Sequence, residues 1–141
     1  AVLWRMNDLS KSLGMNSTYY RNVNGLDVSQ TEAGAYGSAR DITKLFAYAA
    51  TARPDIFAGT TRDDLLLTDL GGDTTAAFNT NQTLGTIPGL VMGKTGYTDL
   101  AGGNLAGLSQ PIVAVVLGST IDGRFSDMRI LVEKARESIA Q

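Results

Sequence analysis

Apolar residues recur along the chain in two rhythms, and the change of rhythm divides it into elements. At the amino end Leu3, Met6, Leu9 and Leu13 stand three or four residues apart, the spacing of one helix face. Gly14 follows, where a left-handed cap suits glycine. Residues 16–37 carry Asn, Gly, Ser and Thr without periodicity and read as an extended loop. Ser38-Ala39-Arg40-Asp41 has the form of a helix start, with Ser38 as the cap and Asp41 three residues on. Ile42, Leu45, Phe46 and Ala49 make the buried stripe of that helix, and Pro54 ends it.

Beyond residue 60 the period shortens. Leu65-Leu66-Leu67 and Ala76-Ala77-Phe78 are short β-like runs broken by Gly71-Gly72. Longer strands follow near 90–98, 103–109 and 111–119. Their turns, at Leu100–Gly102 and Ser109-Gln110-Pro111, are so short that neighbours must run antiparallel. A last helix begins near Ser126, with Met128, Leu131, Val132, Ala135 and Ile139 on one face. Glu133, Lys134, Arg136 and Glu137 lie opposite, on a solvated face. The pattern describes an α+β chain, an antiparallel sheet with flanking helices. There is no internal repeat and no low-complexity linker. Because the first helical pattern lacks its own start signal, the chain is expected to be the carboxyl-terminal part of a domain.

Composition changes this picture mainly by exclusion. At 141 residues, 43% hydrophobic and 18% charged, the chain is ordinary globular material, long enough for a single core. A net charge of −2 offers no basic face, so nucleic acid is not an expected partner. The longest apolar run, Ile112 to Leu117, is far too short to span a bilayer. No basic-then-apolar leader opens the chain, so a secretion signal is expected upstream of Ala1. There is no histidine, which rules out a Ser-His-Asp triad and any His-ligated metal within these residues. There is no cysteine, which rules out thiol catalysis, zinc ribbons and disulfides. Neither metal nor cofactor is expected, and proton transfer falls to Lys, Tyr or a carboxylate.

One segment carries chemistry: Gly93-Lys94-Thr95-Gly96-Tyr97-Thr98, reached through the apolar run Leu90-Val91-Met92. Gly89 to Thr95 looks like a phosphate-binding loop but is one residue short between its glycines. Its intervening Leu-Val-Met want a core, and Gly96, Thr98 and Gly102-Gly103 break the helix that such a loop must enter. The other reading puts Lys94, Thr95 and Gly96 on an edge strand lining a cleft. Gly96 lets a substrate backbone approach, Thr95 presents a hydroxyl, and Lys94 presents a positive charge to an anionic substrate. Taken alone, the same residues also suit a surface strand with a solvated lysine.

Lys-Thr-Gly after an apolar run is one of three signatures of serine acyltransferases that work without histidine. Its flanks extend the match. Met6-Asn7, Leu13-Gly14-Met15, Thr18-Tyr19-Tyr20-Arg21-Asn22, Gly25-Leu26, Ser38-Ala39-Arg40-Asp41 and Asn79 to Asn81 precede it. Ala101-Gly102-Gly103-Asn104-Leu105, Val115-Val116-Leu117-Gly118 and Gly123-Arg124 follow it. In order and spacing these segments, from about Leu3 to about Leu131, resemble the D-alanyl-D-alanine carboxypeptidases, the low-molecular-weight penicillin-binding proteins.

The resemblance implies a five-stranded antiparallel sheet covered by helices, with Lys-Thr-Gly on the strand that walls the site. It implies that Lys94 supports the catalytic proton network, that Thr95 hydrogen-bonds the substrate carboxylate beside Gly96, and that the Tyr97 backbone N–H is an oxyanion donor. Arg124 falls where the family carries an arginine for the terminal carboxylate of D-alanine; the bland alternative is a loop arginine in water. Implied partners are the peptidoglycan stem peptide and β-lactams, and the implied location is extracytoplasmic.

Two family motifs are absent. No serine stands three residues before Lys11, Lys44, Lys94 or Lys134, so Ser-x-x-Lys does not occur, and neither does Ser-x-Asn. Tyr20-Arg21-Asn22 has a Tyr-x-Asn form but falls in the wrong loop to replace it. The chain alone is therefore expected to be inactive, its amino-terminal half supplied by a companion chain or by a symmetry-related copy covering the same surface. A non-catalytic muropeptide- or partner-binding homologue is the rival reading, and a β-lactamase of the same fold is the rival among enzymes.

Overall fold

The computed structural model describes all 141 residues. Helix α1 (Val2–Ser12) ends as its sequence predicts. The Gly14 N–H closes onto the Lys11 carbonyl, and Gly14 adopts φ +67°. The stretch expected as an open loop is instead fastened to this helix. Tyr19–Tyr20 (β1) and Ala35–Tyr36 (β2) form a short antiparallel ladder. Asn7 clamps the first of them, accepting from the Tyr20 N–H and donating to the Tyr20 carbonyl, both at 2.8 Å. Strands of two residues leave no alternation to read, so the ordering comes from a side chain outside the segment.

Helix α2 (Ala39–Ala52) is capped by Ser38, whose Oγ accepts the Asp41 N–H at 3.2 Å. Only half of the expected capping box forms. The Asp41 carboxylate turns outward from the helix start and accepts from the Ser17 N–H at 2.7 Å and Thr18 Oγ1 at 3.0 Å. Pro54 does more than end α2: it is the first residue of a short helix α3 (Pro54–Phe57), a position where a missing N–H has no cost. A 3₁₀ turn over Ala58–Thr61 then leads to a hairpin of β3 (Asp64–Thr68) and β4 (Thr74–Phe78), with every residue of both strands exposed.

The body of the chain is a three-stranded antiparallel sheet of β5 (Leu90–Thr98), β6 (Gly102–Ser109) and β7 (Ile112–Ser119), in that order. Alternate residues face opposite layers. Leu105, Ile112 and Ala114 pack with Ile87 against Phe125, Met128 and Val132 of helix α4 (Gly123–Ile139). Ala106, Leu108, Val115 and Met92 pack against Phe46 and Ala49 of α2 on the other face. Truncating Phe125 or Met128 to alanine would cost about 2–5 kcal/mol, the usual range for large buried side chains.

Helix α4 departs from its expected form in two ways. It starts at Gly123 rather than near Ser126, so Arg124 and Phe125 belong to its first turn and are buried. Its inward face is Phe125, Met128 and Val132, while Leu131 and Ile139 are 41% and 63% exposed. Arg136 is not on the solvated face either: its Nη2 donates to the Pro88 carbonyl at 2.8 Å and to Ser109 Oγ at 2.7 Å.

Candidate active site

Strand β5 has a neighbour on one side only, so its outer edge is open. Along that edge lies a cleft of about 590 Å³. Lys94, Thr95, Gly96 and Tyr97 line it from the strand, and Arg124 reaches it from the first turn of α4. All five residues singled out in the sequence thus meet in one cavity. The opposite wall is the 24–26 loop, held by the Asn22 amide, which donates to the Leu26 carbonyl and accepts from the Gly25 N–H. Asp27 fastens this loop to the far end of β5, accepting Thr98 Oγ1 at 2.9 Å.

The pleat fixes which backbone groups face the cleft. Gly93 sends its N–H outward to Thr60 Oγ1 at 3.1 Å. From Gly93 to Thr98 the register with β6 runs without a bulge, so residues two and four positions on share that direction. The Tyr97 N–H is therefore directed away from β6, at the open edge. Glycine at 93 leaves room for Asn81, since a Cβ there would lie 2.7 Å from the Asn81 amide nitrogen and push that side chain aside.

The two cations are held differently. Arg124 is 8% exposed, its Nη1 donates to the Gly96 carbonyl at 2.7 Å, and its guanidinium lies 4.7 Å from the Phe125 ring centroid. Its Nε is buried without a partner. A loop arginine in water is thus the wrong description. Lys94 is exposed, and its ammonium folds onto the Thr95 carbonyl. Neither cation is paired with a carboxylate. The cleft consequently presents uncompensated positive charge, a neutral hydroxyl on Thr95 and an outward backbone N–H to whatever enters.

Two contributors were given no site role from the sequence. Thr80 and Asn104 line the same cleft, and Thr80 Oγ1 lies 2.7 Å from Thr95 Oγ1. Asn104 bridges the ends of β6 and β7, its Oδ1 accepting the Gly118 N–H at 2.9 Å. The segment Asn79 to Asn81 was part of the family match, but no spacing rule connects it with Thr95. No group of three or more acidic residues is placed to hold a metal ion.

Comparisons with known proteins place the fold in a family. The chain resembles ampicillin-bound penicillin-binding protein D2 from Listeria monocytogenes at 31% identity and TM-score 0.77, over 93% of this chain and 54% of that one. The D-alanyl-D-alanine carboxypeptidase of Mycobacterium tuberculosis H37Rv shares the fold at 23% identity and TM-score 0.72, over 94% and 53%. A D-alanyl-D-alanine carboxypeptidase from Francisella tularensis does so at 21% identity and TM-score 0.78, over 93% and 43%. The chain thus spans about half the length of these solved structures. No curated protein matches it. The model of the D-alanyl-D-alanine carboxypeptidase family matches residues 2–120, which takes in the whole of β5 and the opposing 24–26 loop. The open-edged Lys-Thr-Gly strand lies within that match, and the chain belongs to the D-alanyl-D-alanine carboxypeptidase family.

Proposed function

We propose that this chain is the Lys-Thr-Gly half of a serine-type D-Ala-D-Ala carboxypeptidase domain, which removes the terminal D-alanine from peptidoglycan stem peptides. The observation that carries this reading is Arg124, a buried guanidinium without an acidic partner, in the same cleft as Thr95. A buried charge left unpaired is costly, and a substrate carboxylate would supply the missing partner. Charged hydrogen bonds of this type contribute about 1.5–3 kcal/mol.

In this reading the serine of Ser-x-x-Lys, contributed from outside these 141 residues, attacks the carbonyl carbon of the D-Ala-D-Ala amide. Its proton passes through a lysine-centred network that includes Lys94 and reaches the leaving nitrogen. The Tyr97 N–H stabilises the oxyanion of the tetrahedral intermediate, D-alanine departs, and water hydrolyses the acyl-serine ester. Thr95 and Arg124 hold the carboxylate that distinguishes the terminal residue, while Gly96 leaves room for the peptide backbone. β-Lactams would enter the same cleft and stop at the ester; penicillin-binding protein D2 in ampicillin-bound and cefotaxime-bound forms supports them as ligands. The reaction belongs on the extracytoplasmic side of the membrane, where stem peptides lie. The remaining half of the domain would be a companion segment packed against this one.

The test is kinetic, in the complete protein. Thr95→Val and Arg124→Ala should each lower kcat/KM for D-Ala-D-Ala peptides about ten- to a hundred-fold, the loss of one charged hydrogen bond. Peptides with an amidated terminus should be nearly indifferent to both changes. Equal losses for acid and amide would show that the two residues shape the cleft without reading the charge.

A further inference from the structure

We infer that Thr80 is a positioning residue that orients the Thr95 hydroxyl toward the substrate carboxylate, an inference that rests on the carboxylate role proposed above. The two hydroxyl oxygens lie 2.7 Å apart, although 15 residues separate them in sequence. Each hydroxyl has one proton to give, and a carboxylate can only accept. If Thr95 gives its proton to the substrate, it has none left for Thr80. The bond between them must then run from Thr80 to Thr95. Thr80 thereby fixes the Thr95 rotor and strengthens its donation, as successive hydrogen bonds polarise one another.

The loop holding Thr80 is built to keep it there. On one side, Asn79 Nδ2 donates to the Thr60 and Arg62 carbonyls at 2.9 and 2.8 Å, and the Asn79 N–H donates to the Asp63 carbonyl at 2.8 Å. On the other, Asn81 is 4% exposed, and its Oδ1 accepts both the N–H and the hydroxyl of Thr83. The Asn81 N–H closes onto Asn79 Oδ1 at 2.9 Å. Thr80 is the exposed residue between these two asparagines. It sits where the main cleft meets a smaller cavity of about 210 Å³ below the hairpin base, and only Thr80, Lys94 and Thr95 line both.

The experiment compares Thr80→Val, Thr80→Ser, Thr95→Val and Thr80→Val/Thr95→Val in the complete protein, on acid-terminated and amidated D-Ala-D-Ala peptides. Thr80→Val is expected to lower kcat/KM for the acid about tenfold and to leave the amide within about twofold. Thr80→Ser, which keeps the donor, should return most of the loss. The double variant should be no worse than Thr95→Val, because Thr80 acts only through Thr95. Equal activity of Thr80→Val and Thr80→Ser, or losses that add in the double variant, would overturn the inference while leaving the carboxylate role of Thr95 intact. If Thr95→Val itself fails to distinguish acid from amide, the proposed carboxylate site fails and this inference with it.

Discussion

Lys94 and Arg124 bring like charge to one cleft by opposite means, and their substitutions should differ accordingly. Arg124 is fixed by the Gly96 carbonyl and the Phe125 ring, so its charge has a set position. Lys94 is exposed at the end of a flexible stem, with its ammonium on the Thr95 carbonyl, so its charge is not fixed by packing. Because Lys94 also serves the proposed proton network, Lys94→Ala should be the more damaging change. We expect kcat/KM to fall about a hundred-fold or more, within the range for a lost proton-transfer group, and acylation by penicillin to slow in parallel. A stopped-flow acylation rate unchanged by Lys94→Ala would remove it from the proton network. Lys94, Thr95 and Gly96 were legible in the sequence because an apolar run leading into a glycine-broken strand marks an edge that a substrate backbone can approach, whereas the Tyr97 N–H came through the family resemblance. Arg124 came only through the family resemblance, and Thr80 not at all. Its bond to Thr95 depends on how the 79–81 loop folds back, which no local pattern records.

Among the elements, β5, β6 and β7 were legible almost to the residue, since a buried sheet with short turns leaves alternation and length no freedom. The start of α4 was placed three residues late because Gly123 and Arg124 carry no helix-start signal; tertiary burial of Phe125 sets that boundary. The junction between α1, the 16–18 segment and α2 also escaped the sequence, because it is made by the side chains of Asp41 and Lys44 reaching across to residues far away in the chain. Burial in this junction raises the Asp41 carboxyl, but hydrogen bonds from the Ser17 N–H, Thr18 Oγ1 and Lys44 outweigh that and hold it below the usual carboxylate range. Lys44 adds a bond to the Gly14 carbonyl at the end of α1. A depressed folded pKa contributes stability that is present above the unfolded value of about 4 and is lost as pH falls through the folded value. Thermal melts of the protein should therefore decline below about pH 4, and Asp41→Asn should lower Tm at pH 7 while flattening that decline. Melting curves for the two proteins that stay parallel from pH 7 to pH 2 would mean that Asp41 does not carry this linkage.

At the scale of the whole molecule, the exposed surface is of two kinds. The β5 edge is the open wall of the cleft, whereas large apolar residues elsewhere are exposed without evident purpose in these 141 residues. Trp4 and Val2 on α1 are 68% and 62% exposed, and Ile130 and Leu131 on α4 are 57% and 41% exposed. Such surfaces suit the companion half of the proposed domain, whose nucleophile would face Lys94 across the cleft. In the proposed domain this chain would provide the carboxylate and oxyanion wall for a nucleophilic serine that it does not itself contain. Labelling the complete protein with a fluorescent penicillin, then mapping the modified peptide by mass spectrometry, tests this most directly. The predicted result is a single acyl-serine adduct outside these 141 residues, on a Ser-x-x-Lys motif, with no adduct on this chain when it is treated alone. An adduct on any serine of this chain, or a complete protein that takes up no label, would contradict it.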